Sequence, residues 1–162
     1  MTGPLTSQGN HNSRSTNTMD PLSISASITS IVAFAGATAA KLDALFRDFK
    51  SRPAVLLAIS QEISTLCLVL GWLEGQRRTN SSGTDENESE KALSAVLDSC
   101  MRTFQQIGSQ ISELQSSLRK GSLSKAYSFM LYPSRMKEIS ALRDDLEKYK
   151  STLLLALQVH KS

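Results

Sequence analysis

Leu93, Leu97, Cys100, Phe104, Ile107, Ile111, Leu114 and Leu118 follow one another at steps of four and three without a miss. Only an α-helix gathers such positions on one face, because 3.6 residues per turn bring i, i+3, i+4 and i+7 together. A stripe sustained over roughly 30 residues, about 45 Å of helix, has to be buried against partners of similar length. Three other stretches provide them. Leu56, Ile59, Ile63, Leu66, Leu70 and Leu73 keep the same alternation, with Leu57, Val69 and Trp72 widening the apolar surface. Met136, Ile139, Leu142, Leu146, Tyr149, Leu153 and Leu157 form a third stripe. Ile24, Ile28, Ile31, Val32, Ala35, Ala39, Leu42, Phe46 and Phe49 form a fourth. No strand-like alternation competes, so the expected fold is all-α: an antiparallel four-helix bundle of long amphipathic helices. For Trp72, beside Leu70 and Leu73, packing in the core is the expected role and a partner anchor the weaker one.

Breakers and caps set the boundaries. Asp20 is a good N-cap and Pro21 suits the first helical position, where a missing N–H costs nothing. Ser51-Arg52-Pro53 ends the first helix and starts the second, which Arg77 and Arg78 close at the end where cations are favoured. Residues 79–84, TNSSGT, form a polar turn. Asp85, Glu86, Glu88 and Glu90 then suit the first turns of the third helix, with Asn87 and Glu90 as a capping box and Thr84 as a rival cap. Arg119, Lys120 and Gly121 end that helix. The connector SLSKAYSFMLY precedes Pro133 and is long enough for a short helix before the last one. The spacing therefore predicts helices over about 21–50, 53–78, 86–120, 123–131 and 134–160. They form a single bundle domain, 19–162, behind a disordered Ser/Thr/Asn/Gly-rich leader, 1–18.

The chemistry-bearing residues are sparse. There is no phosphate-cradling glycine loop, no HExxH, no nucleophile elbow and no Cys/His cluster, so no enzyme, cofactor or metal site is expected. Both histidines lie in the terminal segments. Cys67 and Cys100 fall inside apolar helical patterns, where reduced thiols are usual, which suggests a cytoplasmic protein. The net charge of +3 comes from scattered cations, which gives nucleic-acid binding little support but leaves anionic membranes open. No small-molecule substrate is implied.

The first helix is the unusual one. After Asp20 no charged residue occurs until Lys41, and the face opposite its apolar arc, Ser30, Ala33, Ala37, Ala40 and Ala44, is small and uncharged. Its many hydroxyls argue against a resident transmembrane helix or a signal peptide.

Two stretches resemble a family. The opening MDPLSISASITSIVAFAGATAAKL is similar to the start of the fungal N-terminal domains that precede NACHT, ankyrin and other repeat regions in NOD-like (STAND) receptors. The close, KAYSFMLYPSRMKEISALRDDLEKYKSTLLLALQ, is similar to that family's ending. Asp20-Pro21-Leu22-Ser23 and Leu153 to Gln158 carry most of the specificity. The likeness spans roughly Met19 to Val159. The chain departs from the family in its 18-residue leader and in having no nucleotide-binding or repeat region within its 162 residues.

The resemblance implies a HeLo-like, non-enzymatic effector bundle in regulated cell death or immunity. It would act by oligomerisation and conditional membrane targeting of its first helix, moving from cytoplasm to plasma membrane on activation. Leu22, Ile24, Ile28, Ile31, Val32 and Phe34 are then the membrane- or partner-facing residues, with Ile24, Ile28, Ile31 and Val32 buried at rest. Glu62 and Glu74 interrupt the second helix and acids open the third, so only the first qualifies for insertion. The alternative is a protein-interaction module that docks related helical domains, or itself, through the Ser/Ala face. A third reading is an accessory protein of a metabolic gene cluster.

Overall fold

The computed structural model describes residues 21–48, 53–79, 87–120 and 133–159. The expected leader over 1–18 and the short helix over 123–131 lie outside the described residues. Four α-helices and no strand make up the described part: α1 (Pro21–Asp48), α2 (Ala54–Thr79), α3 (Asn87–Arg119) and α4 (Pro133–Val159). The all-α four-helix bundle expected from the periodicity is therefore the fold.

Consecutive helices alternate in direction. The Ser25 hydroxyl at the start of α1 donates to Glu74 Oε2 near the end of α2 at 3.0 Å. Arg135 near the start of α4 donates to Gln110 Oε1 in α3 at 3.2 Å, while Tyr149, later in α4, meets Thr103, earlier in α3. Adjacency follows a different order. α1 packs on α2 and α3, and α4 packs on the same two; α2 and α3 face each other across the diagonal with no Cα pair within 8 Å. As a result α1 and α3 are parallel neighbours: Phe34 faces Gly108, and Lys41 reaches Ser112 and Gln115. α2 and α4 are parallel too, since Leu56 and Ile59 share a small cavity with Ile139 and Leu142, and Lys150 reaches Glu62 farther along.

The inward stripes meet along the bundle axis. Phe104 is fully buried, with Ile24, Ile31, Leu42, Ile63, Leu70 and Leu97 among the other sealed side chains. Each contributes about 1.5–3 kcal/mol relative to full exposure. Two side chains outside the expected arc join them in α1. Leu45 and Thr38 are buried, whereas Val32, expected in the core, is 38% exposed. At 100° per residue Val32 and Thr38 lie on opposite edges of the Ile24–Ile28–Ile31–Ala35 stripe. The position of α3, which receives Phe34 and Thr38 at Gly108, decides which edge is covered. Thr38 tolerates burial because its hydroxyl donates to the Phe34 carbonyl at 2.9 Å.

Trp72 overturns a second expectation, being 59% exposed. It lies almost opposite the Leu56–Ile63–Leu70 seam on the helical wheel. Aromatic identity suggested burial, but angular position decided against it.

Candidate functional site

Ile24, Ile28 and Ile31 are sealed in the core, as expected of α1 in a resting bundle. Phe34 is half-buried, its ring resting where a side chain at Gly108 would begin. Val32 alone of the six proposed interaction residues is shown exposed, and the side chain of Leu22 lies outside the described residues. The five described ones therefore do not share one exposed surface in the folded chain.

What α1 does present outward is the opposite face. Ser30, Ala33, Gly36, Ala37 and Ala40 are all exposed, and a Cβ added to Gly36 would meet nothing within 4 Å. Adjoining it, the outward face of α2 carries Leu57, Leu68 and Trp72, with Leu68 60% exposed. No charged side chain lies among these positions of α1 and α2. By contrast, the outer surfaces of α3 and α4 carry ion pairs: Arg135 with Glu113 and Glu138, Arg143 with Asp144, and Lys148 with Asp145. The outward faces of α1 from Ser30 to Ala40 and of α2 from Leu57 to Trp72 are thus free of charge, whereas those of α3 and α4 are charged. Leu68 and Trp72, four residues apart and both opposite the α2 seam, are legible as exposed from the helical wheel alone.

The acids of α2 are neutralised by position. Glu62 accepts from Lys150 at 2.6 Å. Glu74 accepts from Ser25 and from Arg78, the latter at 2.9 Å. Desolvation pushes the Glu74 carboxyl up, but the Arg78 and Ser25 hydrogen bonds and the nearby Arg78 and Arg77 charges outweigh it, so the group titrates below its ordinary 4.5. With both acids matched, α2 is as much a candidate span as α1: Ser23–Arg47 and Ala54–Thr79 are each long and apolar enough to cross a bilayer, and α2 is the more apolar. That corrects the expectation that only the first helix qualifies. The same test is passed by the core helices of a bundle.

Glu90 lies in the first turn of α3, as expected of the acidic run. It is also buried there and pairs with Arg77 at 3.2 Å, joining the two diagonal helices near one end of the bundle. A pair of this kind depends on tertiary placement, and the sequence carries no signal for it.

Neither thiol is bonded. Cys67 is half-buried and Cys100 buried; burial raises the pKa of both, Cys100 to about 12, with Cys67 adding to the shift. A bridge between them would need Cα atoms about 4.4–6.8 Å apart, and the diagonal α2–α3 separation rules that out. The cavity of about 10 Å³ between α2, α3 and α4 is lined almost wholly by apolar side chains such as Ile59, Ile111 and Ile139. It is about the size of one water and too small for a substrate. Among the described residues no three of His, Cys, Asp and Glu are grouped as metal ligands.

The family described as pigment biosynthesis cluster protein PigL N-terminal matches residues 19–161. No curated protein and no solved structure matches the chain.

Proposed function

Because the chain belongs to the PigL N-terminal family over nearly its whole length, we propose that it is a non-enzymatic helical docking module of the cytoplasm, binding partner proteins rather than substrates. The observation that carries this reading is the outward face of α1. Ser30, Ala33, Gly36, Ala37 and Ala40 are exposed, uncharged and small, so that another helix can approach closely, while the apolar residues behind them are committed to the core. The helical glycine costs roughly 1 kcal/mol relative to alanine, and nothing within 4 Å in the chain requires it. The family's description by a pigment biosynthesis cluster protein is compatible with such an accessory role.

Kinship with the N-terminal domains of fungal NOD-like receptors is the narrower part of the proposal. It rests on Asp20-Pro21-Leu22-Ser23 and on Leu153 to Gln158. Under it the partners are related helical signalling domains.

A second reading, release of α1 into a membrane, is favoured by one observation: Ser23–Arg47 is long and apolar enough to span a bilayer. It requires Ile24, Ile28 and Ile31 to leave the core, at about 1.5–3 kcal/mol each before lipid compensates.

Proximity labelling in the source cells separates the two. Ala33→Glu/Ala37→Glu, placed on exposed positions, should leave circular dichroism and melting unchanged and remove the labelled partners. An unchanged partner set would end the α1 docking reading. Leakage from anionic vesicles by wild type, lost in Ile24→Asp/Ile31→Asp variants that remain folded, would replace it with the membrane reading.

A further inference from the structure

We propose that Glu62 and Lys150 select the order in which the four helices surround the core, as a polar contact that closes only when α2 lies beside α4. Connection lengths alone favour a different order. Residues 49–53 join α1 to α2 and residues 80–86 join α2 to α3, and links this short ordinarily make consecutive helices antiparallel neighbours. Here α2 and α3 are diagonal instead, and α2 and α4 are parallel neighbours. The apolar stripes do not distinguish the two orders, because each stripe faces the bundle axis in both. A contact outside the stripes has to.

Glu62 is the only charged residue from Val55 to Leu73, and Lys150 is the last one before the uncharged end of α4, Ser151 to Val159. The two meet at 2.6 Å with side chains 22% and 18% exposed. Arg77–Glu90 and Arg135–Glu113 also join helices, but they link consecutive ones, α2 with α3 and α3 with α4, and so fit either order. Glu62–Lys150 requires α2 beside α4. In the consecutive order these helices would lie across the diagonal, their axes about 11–14 Å apart for neighbours at 8–10 Å, with the apolar core between them. Neither charge would find a replacement. α1 has none between Pro21 and Ala40. On α3, Asp98 and Arg102 lie about 120° and 160° around the helix from Phe104, and both are exposed while Phe104 is sealed. Two half-buried charges left unpaired penalise the consecutive order, whereas the closed pair adds little net stability to the observed one. A polar contact with this balance acts on uniqueness more than on stability. The inference is independent of what α1 docks, and either can fail alone.

The test uses the full chain with its isoleucine and leucine methyl groups labelled for NMR. Ile59 of α2 and Ile139 of α4 line the same small cavity, so the wild type should give one set of methyl signals with an Ile59–Ile139 cross-peak. Glu62→Leu/Lys150→Met, which removes both charges together, should melt at or above the wild-type temperature. It should also show a second set of signals that lacks the cross-peak. Glu62→Leu alone, which leaves Lys150 without its acid, should melt below both. Exchanging the charges, Glu62→Lys/Lys150→Glu, should restore a single set with the cross-peak present. A double apolar variant that keeps one set and the Ile59–Ile139 cross-peak overturns the proposal, because the order then needs no such pair. A double apolar variant that is unfolded, or melts well below wild type, overturns it too, since the pair would then stabilise rather than select. Two sets of signals from the charge-exchanged variant would also overturn it.

Discussion

Replacing Gly108 by alanine measures how closely α1 and α3 approach. A helical Gly→Ala change ordinarily stabilises by about 0.8–1 kcal/mol through backbone entropy. At Gly36, Gly71 and Gly75 nothing lies within 4 Å of the added Cβ, so each should show the full gain. At Gly108 the new Cβ would sit 3.3 Å from Phe34 Cε1, 3.4 Å from Cζ and 3.8 Å from Thr38 Oγ1. The Phe34 ring must retreat by a few tenths of an ångström, which costs dispersion contacts and offsets the gain. The expected net for Gly108→Ala is within about 0.5 kcal/mol of zero. Gly36→Ala should raise the melting temperature by about 3 °C for a domain of this size. Gly108→Leu, which cannot be accommodated by a small ring movement, should destabilise by about 1–3 kcal/mol. Urea denaturation with a constant m-value reports all three. A Gly108→Ala gain equal to that of Gly36→Ala would refute the close parallel packing of α1 on α3.

Burial predicts opposite outcomes for two other substitutions: Ile111→Asp places an unpaired carboxylate at a sealed position and should cost about 4 kcal/mol or more, whereas Trp72→Ala should cost under about 1 kcal/mol. A large loss at Trp72, seen by chemical denaturation, would contradict its exposure. Glu74 gives a pH dependence of known sign. Its carboxyl titrates below 4.5 in the folded chain, so its contribution is complete above that value and disappears as pH falls through the lowered one. Hydrogen exchange in the first turns of α1, corrected for intrinsic rate, should accelerate there, and Glu74→Gln should abolish the change; a flat profile refutes the clamp. At pH 8 a thiol reagent should modify Cys67 first and Cys100 only as the chain unfolds, because the Cys100 thiol is sealed with its pKa near 12. Equal labelling rates by mass spectrometry would show that the core is open.

Much of the fold was legible because helix formation and helix burial share one period. The seams Leu56 to Leu73 and Leu93 to Leu114 are buried where their spacing puts them, and Pro21 starts a helix because proline is cost-free there. The charge-free face of α1 was readable too, since it requires only residue identity and a wheel.

What the spacing left open is which helices touch. Four amphipathic stripes bury equally well in more than one cyclic order, so local periodicity could not tell that α2 and α3 would be diagonal and α1 and α3 parallel neighbours. That choice covered Thr38 and Leu45 instead of Val32, gave Phe34 a place over Gly108 and paired Arg77 with Glu90. It also made a Cys67–Cys100 bridge unattainable. A periodic pattern fixes the direction in which a side chain leaves its own helix, but only the neighbouring helices determine whether water or another side chain meets it.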